Sequence, residues 1–279
     1  MNLLRLIAAL LLAGAPFAHA EPPQVYRFSP VNQWDIAKTA AYWNPIIQYV
    51  SAKSGVPMQM KIGRTSADTT SFVLAQEVEV VFTNHLFSPE RQKLGWKVFG
   101  RRVAPALKAQ LVVPVESGTT SLAQLRDLEV AYAGPEAFIG YKVPSAHLIA
   151  LGIPVKTVFS GNQNAAFVQL FSGRAAAVGS NSMLVDGYAA REKKAFRVLW
   201  QSEEYHDLAL MASAKVPEAH VRAIAAAFFG MHNDPAGRRT LEAASKEVAL
   251  TAKDHFIPAS MDDYRNYTAW FARAPALLK

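Results

Sequence analysis

The chain has 279 residues, no cysteine, and 29 basic against 22 acidic side chains, a formal net charge of +7. Zero cysteine excludes disulfide staples, thiol nucleophiles, lipid attachment at a cysteine and Cys-type zinc sites. The Lys and Arg are scattered, pairing only at Arg101-Arg102, Lys193-Lys194 and Arg238-Arg239. That reads as a solvated surface with a mild bias toward anions, not a clustered nucleic-acid patch interleaved with aromatics.

The first 20 residues, "MNLLRLIAALLLAGAPFAHA", join Arg5, an apolar run and a small-residue "AHA" before Glu21. This is the pattern of a cleaved secretory signal. The apolar run is short of the ~20 residues needed to span a bilayer. We therefore expect export to a periplasm and a mature chain of residues 21–279. Removing the segment takes away one charge, Arg5, and leaves 28 basic and 22 acidic residues, or +6.

"VYRF" (Val25 to Phe28) reads as a strand, and Asp35 as the N-cap of a helix. Ile36, Ala40, Trp43, Ile47 and Val50 fall at helical spacing on one apolar stripe. Pro45 should kink that helix and Gly55 end it. "MQMKI" alternates as a half-buried strand. Further strands are predicted at "VEVVF", "LVVPV", "VAYA", "VKTVF", "AAAV", "FRVLW" and "LALMA". Helices are predicted between them at Leu122 to Leu125, Ser145 to Leu151, Ala165 to Ser172 and Met183 to Glu192. From Pro217 onward the chain turns helical. Strand and helix alternate, so the fold class is α/β with mixed, mostly parallel sheets flanked by helices.

Two stretches repeat one pattern, "TSADTTSFVLAQEVEVVFTN" (Thr65 to Asn84) and "SGNQNAAFVQLFSGRAAAVGSN" (Ser160 to Asn181). Each runs from a polar loop through a helix to a Val-containing strand that stops at Asn. In open α/β sheets ligands sit beyond the carboxyl ends of strands, where helix N-termini offer free N–H groups. Two such positions describe two lobes that clamp a small polar or anionic molecule. The candidate contacts are Asn32, Ser66, Thr69, Thr70, Asn84, His85, Glu136, Ala137, Phe138, Ser160, Asn162, Gln163, Asn164 and Asn181. The alternative for each Ser, Thr and Asn is ordinary helix capping. Glu136 either accepts from a cationic ligand group or caps a helix, and His85 either touches ligand or supports residues that do.

No G-x-S-x-G, H-E-x-x-H or phosphate loop ending in GK[ST] occurs, so catalysis is not expected. The histidines lack metal-ligand spacing to carboxylates. Neither a metal nor a cofactor is therefore expected. Five Trp keep sugar stacking open, with Trp34 and Trp96 unassigned.

Four blocks in order, "SPVNQW…AYWNPIIQYVSAKSG", "TSADTTSFVLAQEVEVVFTNHLFSPE", "SLAQLRDLEVAYAGPEAFIGYKVPSA" and "FSGNQNAAFVQLFSGRAAAVGSNS", resemble the phosphate/phosphite/phosphonate-type substrate-binding proteins of ABC transporters. The resemblance implies a two-lobed periplasmic binding protein with two crossovers. Lobe one would be 21–108 with the return 208–279 and its C-terminal helices, and lobe two 109–207. It also implies a monomeric receptor for a small oxyanion or related organic solute, with an inner-membrane permease as partner. A sensor read by a membrane kinase is the alternative, and a secreted enzyme comes third. Where the family carries a hydroxyl-rich run, this chain reads "GPEAFIG", with Ala137, Phe138 and Ile139. Where it tends to offer ionisable groups, Gln163, Asn164 and Asn181 stand. Only Asp68 and Glu136 remain as nearby carboxylates, so a ligand without a strongly cationic group is expected.

Overall fold

A computed structural model describes residues 24–250 and 255–279. The predicted signal segment, 1–20, lies outside the described residues. Two sheets carry the fold. The first has six strands: β1 (Tyr26–Pro30), β2 (Met58–Met60), β3 (Val80–Thr83), β4 (Lys97–Arg102), β10 (Ala209–Ala212) and β11 (Phe256–Pro258), in the order β11-β4-β10-β3-β1-β2. The second has five: β5 (Leu107–Pro114), β6 (Glu129–Tyr132), β7 (Lys156–Phe159), β8 (Ala177–Asn181) and β9 (Phe196–Tyr205), in the order β7-β6-β8-β5-β9. The chain crosses between sheets twice, through residues 103–106 and 206–208. This is the two-lobed, two-crossover α/β architecture.

Both sheets are mixed. Parallel pairing joins β1 to β2 and β3, and β6 to β7 and β8. The strands flanking the crossovers pair antiparallel: β10 with β3 and β4, and β5 with β8 and β9.

Helix α1 (Ile36–Ser54) starts at Asp35, whose side chain accepts from the Lys38 N–H, and ends at Gly55 with φ 69°. It runs through Pro45 as one helical segment. Its buried face is Thr39, Tyr42, Trp43, Ile46, Ile47 and Val50, while Ile36, predicted on that face, is exposed in the first turn. The Trp43 ring packs on Phe28 and Phe82 at centroid distances of 4.9 Å each. Helices α7 (Glu218–Gly230) and α8 (Pro235–Glu247) pack against α1 on the same lobe.

In the second lobe β5 buries both faces, as expected of a central strand covered by helices on each side. Val112 joins Phe167, Val178 and Tyr188, whereas Leu111 and Val113 join Tyr132, Val130 and Leu148. A third apolar cluster runs through the hinge. It gathers Val81 and Phe87 from the first lobe, Leu107 beside the first crossover, Phe138 and Ile139 from the second lobe, and Tyr264, Tyr267, Trp270 and Phe271 from the C-terminal segment with α9 (Arg265–Arg273). Among the described residues, no helix is long and apolar enough to cross a membrane.

Candidate functional site

The two repeated loops meet. The Ser66 N–H donates to the Gly161 carbonyl at 2.8 Å, joining the loop before α2 (Asp68–Leu74) to the loop before α5 (Gln163–Phe171). The Ser66 hydroxyl lies against the backbone of Gly134, where a Cβ would stand 2.7 Å from it, so this approach of the lobes requires glycine. The following strands, β3 and β8, end beside the same space with Asn84 and Asn181.

That space is a cavity of about 50 Å³ between the lobes. At about 10–15 Å³ for each water-sized centre, it holds roughly three to five atoms of that size. Of the residues predicted from sequence, Asn32, Ser66, Asn84, His85, Ala137, Phe138, Gln163 and Asn181 line it. Thr69, Thr70, Glu136, Ser160, Asn162 and Asn164 do not. Their side chains have other environments. Thr69 donates to the Pro30 carbonyl at 2.8 Å, and Thr70 bonds the His85 Nδ1 at 3.0 Å. Asn162 caps α5 through the Ala165 N–H, and Asn164 accepts from Arg191 at 2.6 Å. Ser160 keeps a buried hydroxyl with no protein partner.

The cavity wall divides by chemistry. Phe138, Ile139, Leu107, Leu208 and Val31 make an apolar side. Phe138 is fixed there by ring contacts to Tyr267 at 4.3 Å and Trp270 at 5.0 Å. On the polar side, Asn32 donates to the Gly63 carbonyl at 2.7 Å, which leaves its Oδ1 buried and unpartnered. The Ser66 Oγ is also buried and unpartnered. Gln163 donates to the Gly179 carbonyl at 3.3 Å, and Asn181 caps α6 (Ser182–Glu192) while lining the cavity.

The lining also holds residues outside the candidate set, one of them charged. Asp207, in the second crossover, gives its Oδ2 to the Arg102 guanidinium at 2.7 and 2.9 Å and keeps its Oδ1 unpartnered. Arg102 is wholly buried. The expectation that Arg101-Arg102 is a solvated pair is therefore corrected for Arg102, because its countercharge lies 105 residues away. Among the described residues Asp207 is the cavity's one charged lining residue, and Arg102 balances it.

Among the described residues, no Lys or Arg lines the cavity. Backbone N–H groups are the donors that the adjoining segment can offer. A π-helical turn, Phe138–Lys142, leads into α4 (Val143–Ala150), and the Ala137 carbonyl accepts from both Tyr141 and Lys142. The first-turn amides of such a segment have no acceptor within it and point toward its N-terminal end. This arrangement suits an anion held by neutral donors. His85 adds no charge. Burial pushes its pKa down to about 4, although Glu136 opposes the shift.

Outside the cavity an ion pair joins the lobes. Arg91, in the short helix α3 (Pro89–Gln92), donates to both carboxylate oxygens of Glu136, at 2.9 Å to Oε1. The same guanidinium holds the His85 carbonyl at 2.7 Å. Burial disfavours the Glu136 anion, but the Arg91 hydrogen bonds outweigh it, and the carboxyl titrates below its usual range. Asp68 is also committed, accepting from the Thr65 N–H and hydroxyl at 3.0 Å each. No metal-holding group of three or more His, Asp or Glu occurs among the described residues.

Comparison with curated proteins gives no match. Among solved structures, PhnD1 from Prochlorococcus marinus in complex with methylphosphonate superposes with TM-score 0.76 at 16% identity, covering 90% of this chain and 98% of that one. The binding-protein component of an ABC phosphonate transporter from Pseudomonas aeruginosa gives TM-score 0.75 at 14% identity, covering 90% and 88%. A protein of Xanthomonas citri solved with ATP gives 0.67 at 14%, covering 89% and 97%. At these identities the likeness establishes the fold. The sequence profile of the ABC transporter phosphonate periplasmic substrate-binding proteins matches residues 28–264. The chain belongs to that family, a family of transporter binding components and not of enzymes.

Proposed function

We propose that this protein captures a small oxyanion of the phosphonate, phosphite or phosphate kind between its lobes and delivers it to an ABC permease of the inner membrane. The carrying observation is the cleft between the lobes, lined by Asn32 and Ser66, which each hold a buried polar atom with no protein partner. Leaving such atoms unpaired costs about 1–3 kcal/mol each; a bound ligand removes that cost. The Asn32 and Asp207 oxygens are acceptors, so they suit a ligand that brings a proton, such as a hydrogen phosphonate. Its other oxygens meet the amides at the start of the Phe138 segment.

A strongly cationic substituent has no unbalanced carboxylate to meet. Asp68 is held by its own turn, Glu136 by Arg91 and Asp207 by Arg102. The family's place in ABC transport favours delivery to a permease over relay to a membrane kinase. We assign lobe one to 21–108 with 208–279 and lobe two to 109–207. In this reading the protein acts in the periplasm as a monomer after removal of residues 1–20. Mass spectrometry of the exported protein beginning at Glu21 supports that processing, and retention of residues 1–20 contradicts it.

A thermal-shift screen of residues 21–279 against phosphate, phosphite, alkylphosphonates, sulfate and 2-aminoethylphosphonate tests the reading. A ligand at about a hundred times its Kd adds about 2.7 kcal/mol. The expected result is stabilisation by a phosphorus oxyanion, and little by sulfate, which carries no proton at neutral pH. Stabilisation by 2-aminoethylphosphonate alone overturns the ligand class, and no response to any phosphorus oxyanion overturns the function.

A further inference from the structure

The cleft does not end at the anion cavity. A second, smaller space adjoins it, and Gln33, Gln163 and Leu184 line both. It is bordered by Trp34 and Leu250 of the first lobe and by Phe167 and Tyr188 of the second. Its volume is about 10 Å³, room for roughly one carbon-sized group. Trp34 is almost fully buried and rests on Tyr42 at a centroid distance of 5.4 Å, so this wall is rigid.

The two spaces differ in what they lack. Three lining residues of the first cavity, Asn32, Ser66 and Asp207, carry buried polar atoms without partners. None of the described residues lining the second does. Its polar members are engaged: Arg191 with Asn164 at 2.6 Å and Glu192 at 2.8 Å, and Gln33 with Arg102 at 3.3 Å. One space therefore calls for hydrogen-bonding groups and the other for hydrocarbon. Burying apolar surface in a preformed apolar space favours binding in proportion to the area removed from water.

We propose that the second space receives the end of a short hydrocarbon substituent on the bound anion, so that the preferred ligand is a two-carbon alkylphosphonate and not phosphate or methylphosphonate. The inference rests on the anion-binding reading above. The head group fills the first cavity, the α-carbon passes Gln33 and Gln163, and the terminal carbon lies against Trp34 and Tyr188. A third carbon meets the Trp34 side chain.

Calorimetric titration of residues 21–279 with phosphate, methyl-, ethyl- and propylphosphonate tests this. Ethylphosphonate should bind about fourfold more tightly than methylphosphonate, the value of one buried methylene, and propylphosphonate more weakly than ethylphosphonate. In Trp34→Leu, which widens the space, the optimum should move to propylphosphonate. If methylphosphonate binds and ethylphosphonate binds no more tightly, the second compartment is overturned while the anion site stands. An optimum that stays at ethylphosphonate in a folded Trp34→Leu variant also overturns it. If none of the four binds, the anion-binding reading itself fails and takes this proposal with it.

Discussion

Removing the charge of Glu136 should loosen the grip on ligand without unfolding either lobe. Arg91 and Glu136 come from opposite lobes, and their hydrogen bonds exist only when the lobes are together. The side chains are 24% and 19% exposed, so the pair is neither fully solvated nor fully buried. Exposed pairs contribute about 0.2–1 kcal/mol, and removal of one partner from a buried pair costs about 3–5 kcal/mol. An intermediate cost of about 1–2 kcal/mol changes the closed-to-open ratio by a factor of roughly 5–30. Ligand is held by the closed form, so Glu136→Gln should raise Kd by about that factor, mainly through faster release. Arg91→Ala should cost more, because it also frees the His85 carbonyl. Stopped-flow release measurements beside calorimetry on both variants and their double mutant give the coupling energy. Because the Glu136 carboxyl titrates below its usual range, the latch stays charged at neutral pH. Its contribution is present above the ordinary carboxylate pKa and is lost as pH falls through the depressed value. Release rates and Kd within twofold of the parent for Glu136→Gln would refute the latch.

Three further outcomes follow from buried groups. Arg102→Met strands the buried Asp207 carboxylate and should cost about 3–5 kcal/mol; at about 2–4 °C per kcal/mol, calorimetry should show Tm lower by roughly 10 °C, and an unchanged Tm contradicts the pairing. His85 is neutral in both folded and unfolded chains above pH 6.5. Between pH 6.5 and about 4 only the unfolded chain gains the proton, so stability should fall by roughly 3 kcal/mol over that window as pH drops. Urea titrations across pH should show His85→Gln losing this part of the slope, and an identical slope contradicts the buried neutral imidazole. A Cβ at Gly179 would stand 2.3 Å from the Tyr132 ring and 2.6 Å from the Gly140 carbonyl oxygen. Gly179→Ala should therefore cost about 1–3 kcal/mol by overpacking and weaken ligand binding by displacing Gly140 from the cavity wall; full stability and affinity contradict that packing.

Local physics made much of the fold legible. Asp35 and Gly55 bound α1 as capping chemistry dictates, and the alternation of strands and helices survives in both lobes. The repeat of polar loop, helix and Asn-ended strand was visible as composition, and its loops meet at Ser66 and Gly161. Strand β4 was not visible, because Val98 and Phe99 stand between charged residues. Its charge has a tertiary reason: Arg102 reaches Asp207 at the other crossover. The same distance in sequence hid Asp207 from the candidate site and hid the pairing of Arg91 with Glu136, 45 residues apart. Thr69 and Thr70 looked like ligand donors because a hydroxyl at a helix start can face either way. Their partners, the Pro30 carbonyl and the His85 ring, lie on neighbouring segments of the same lobe. Mixed sheets were expected, but alternation alone does not say which strands run antiparallel; they are the ones beside the crossovers.

The central claim is that a small phosphorus oxyanion is held between the lobes by Asn32, Ser66 and the start of the Phe138 segment. A crystal structure of residues 21–279 grown with ethylphosphonate tests it most directly. The account predicts phosphonate oxygens within about 2.5–3.2 Å of the Asn32 and Ser66 side chains and of the amides after Ala137, with the ethyl group toward Trp34. A saturated crystal with the ligand bound elsewhere, and that cavity without it, would contradict the account.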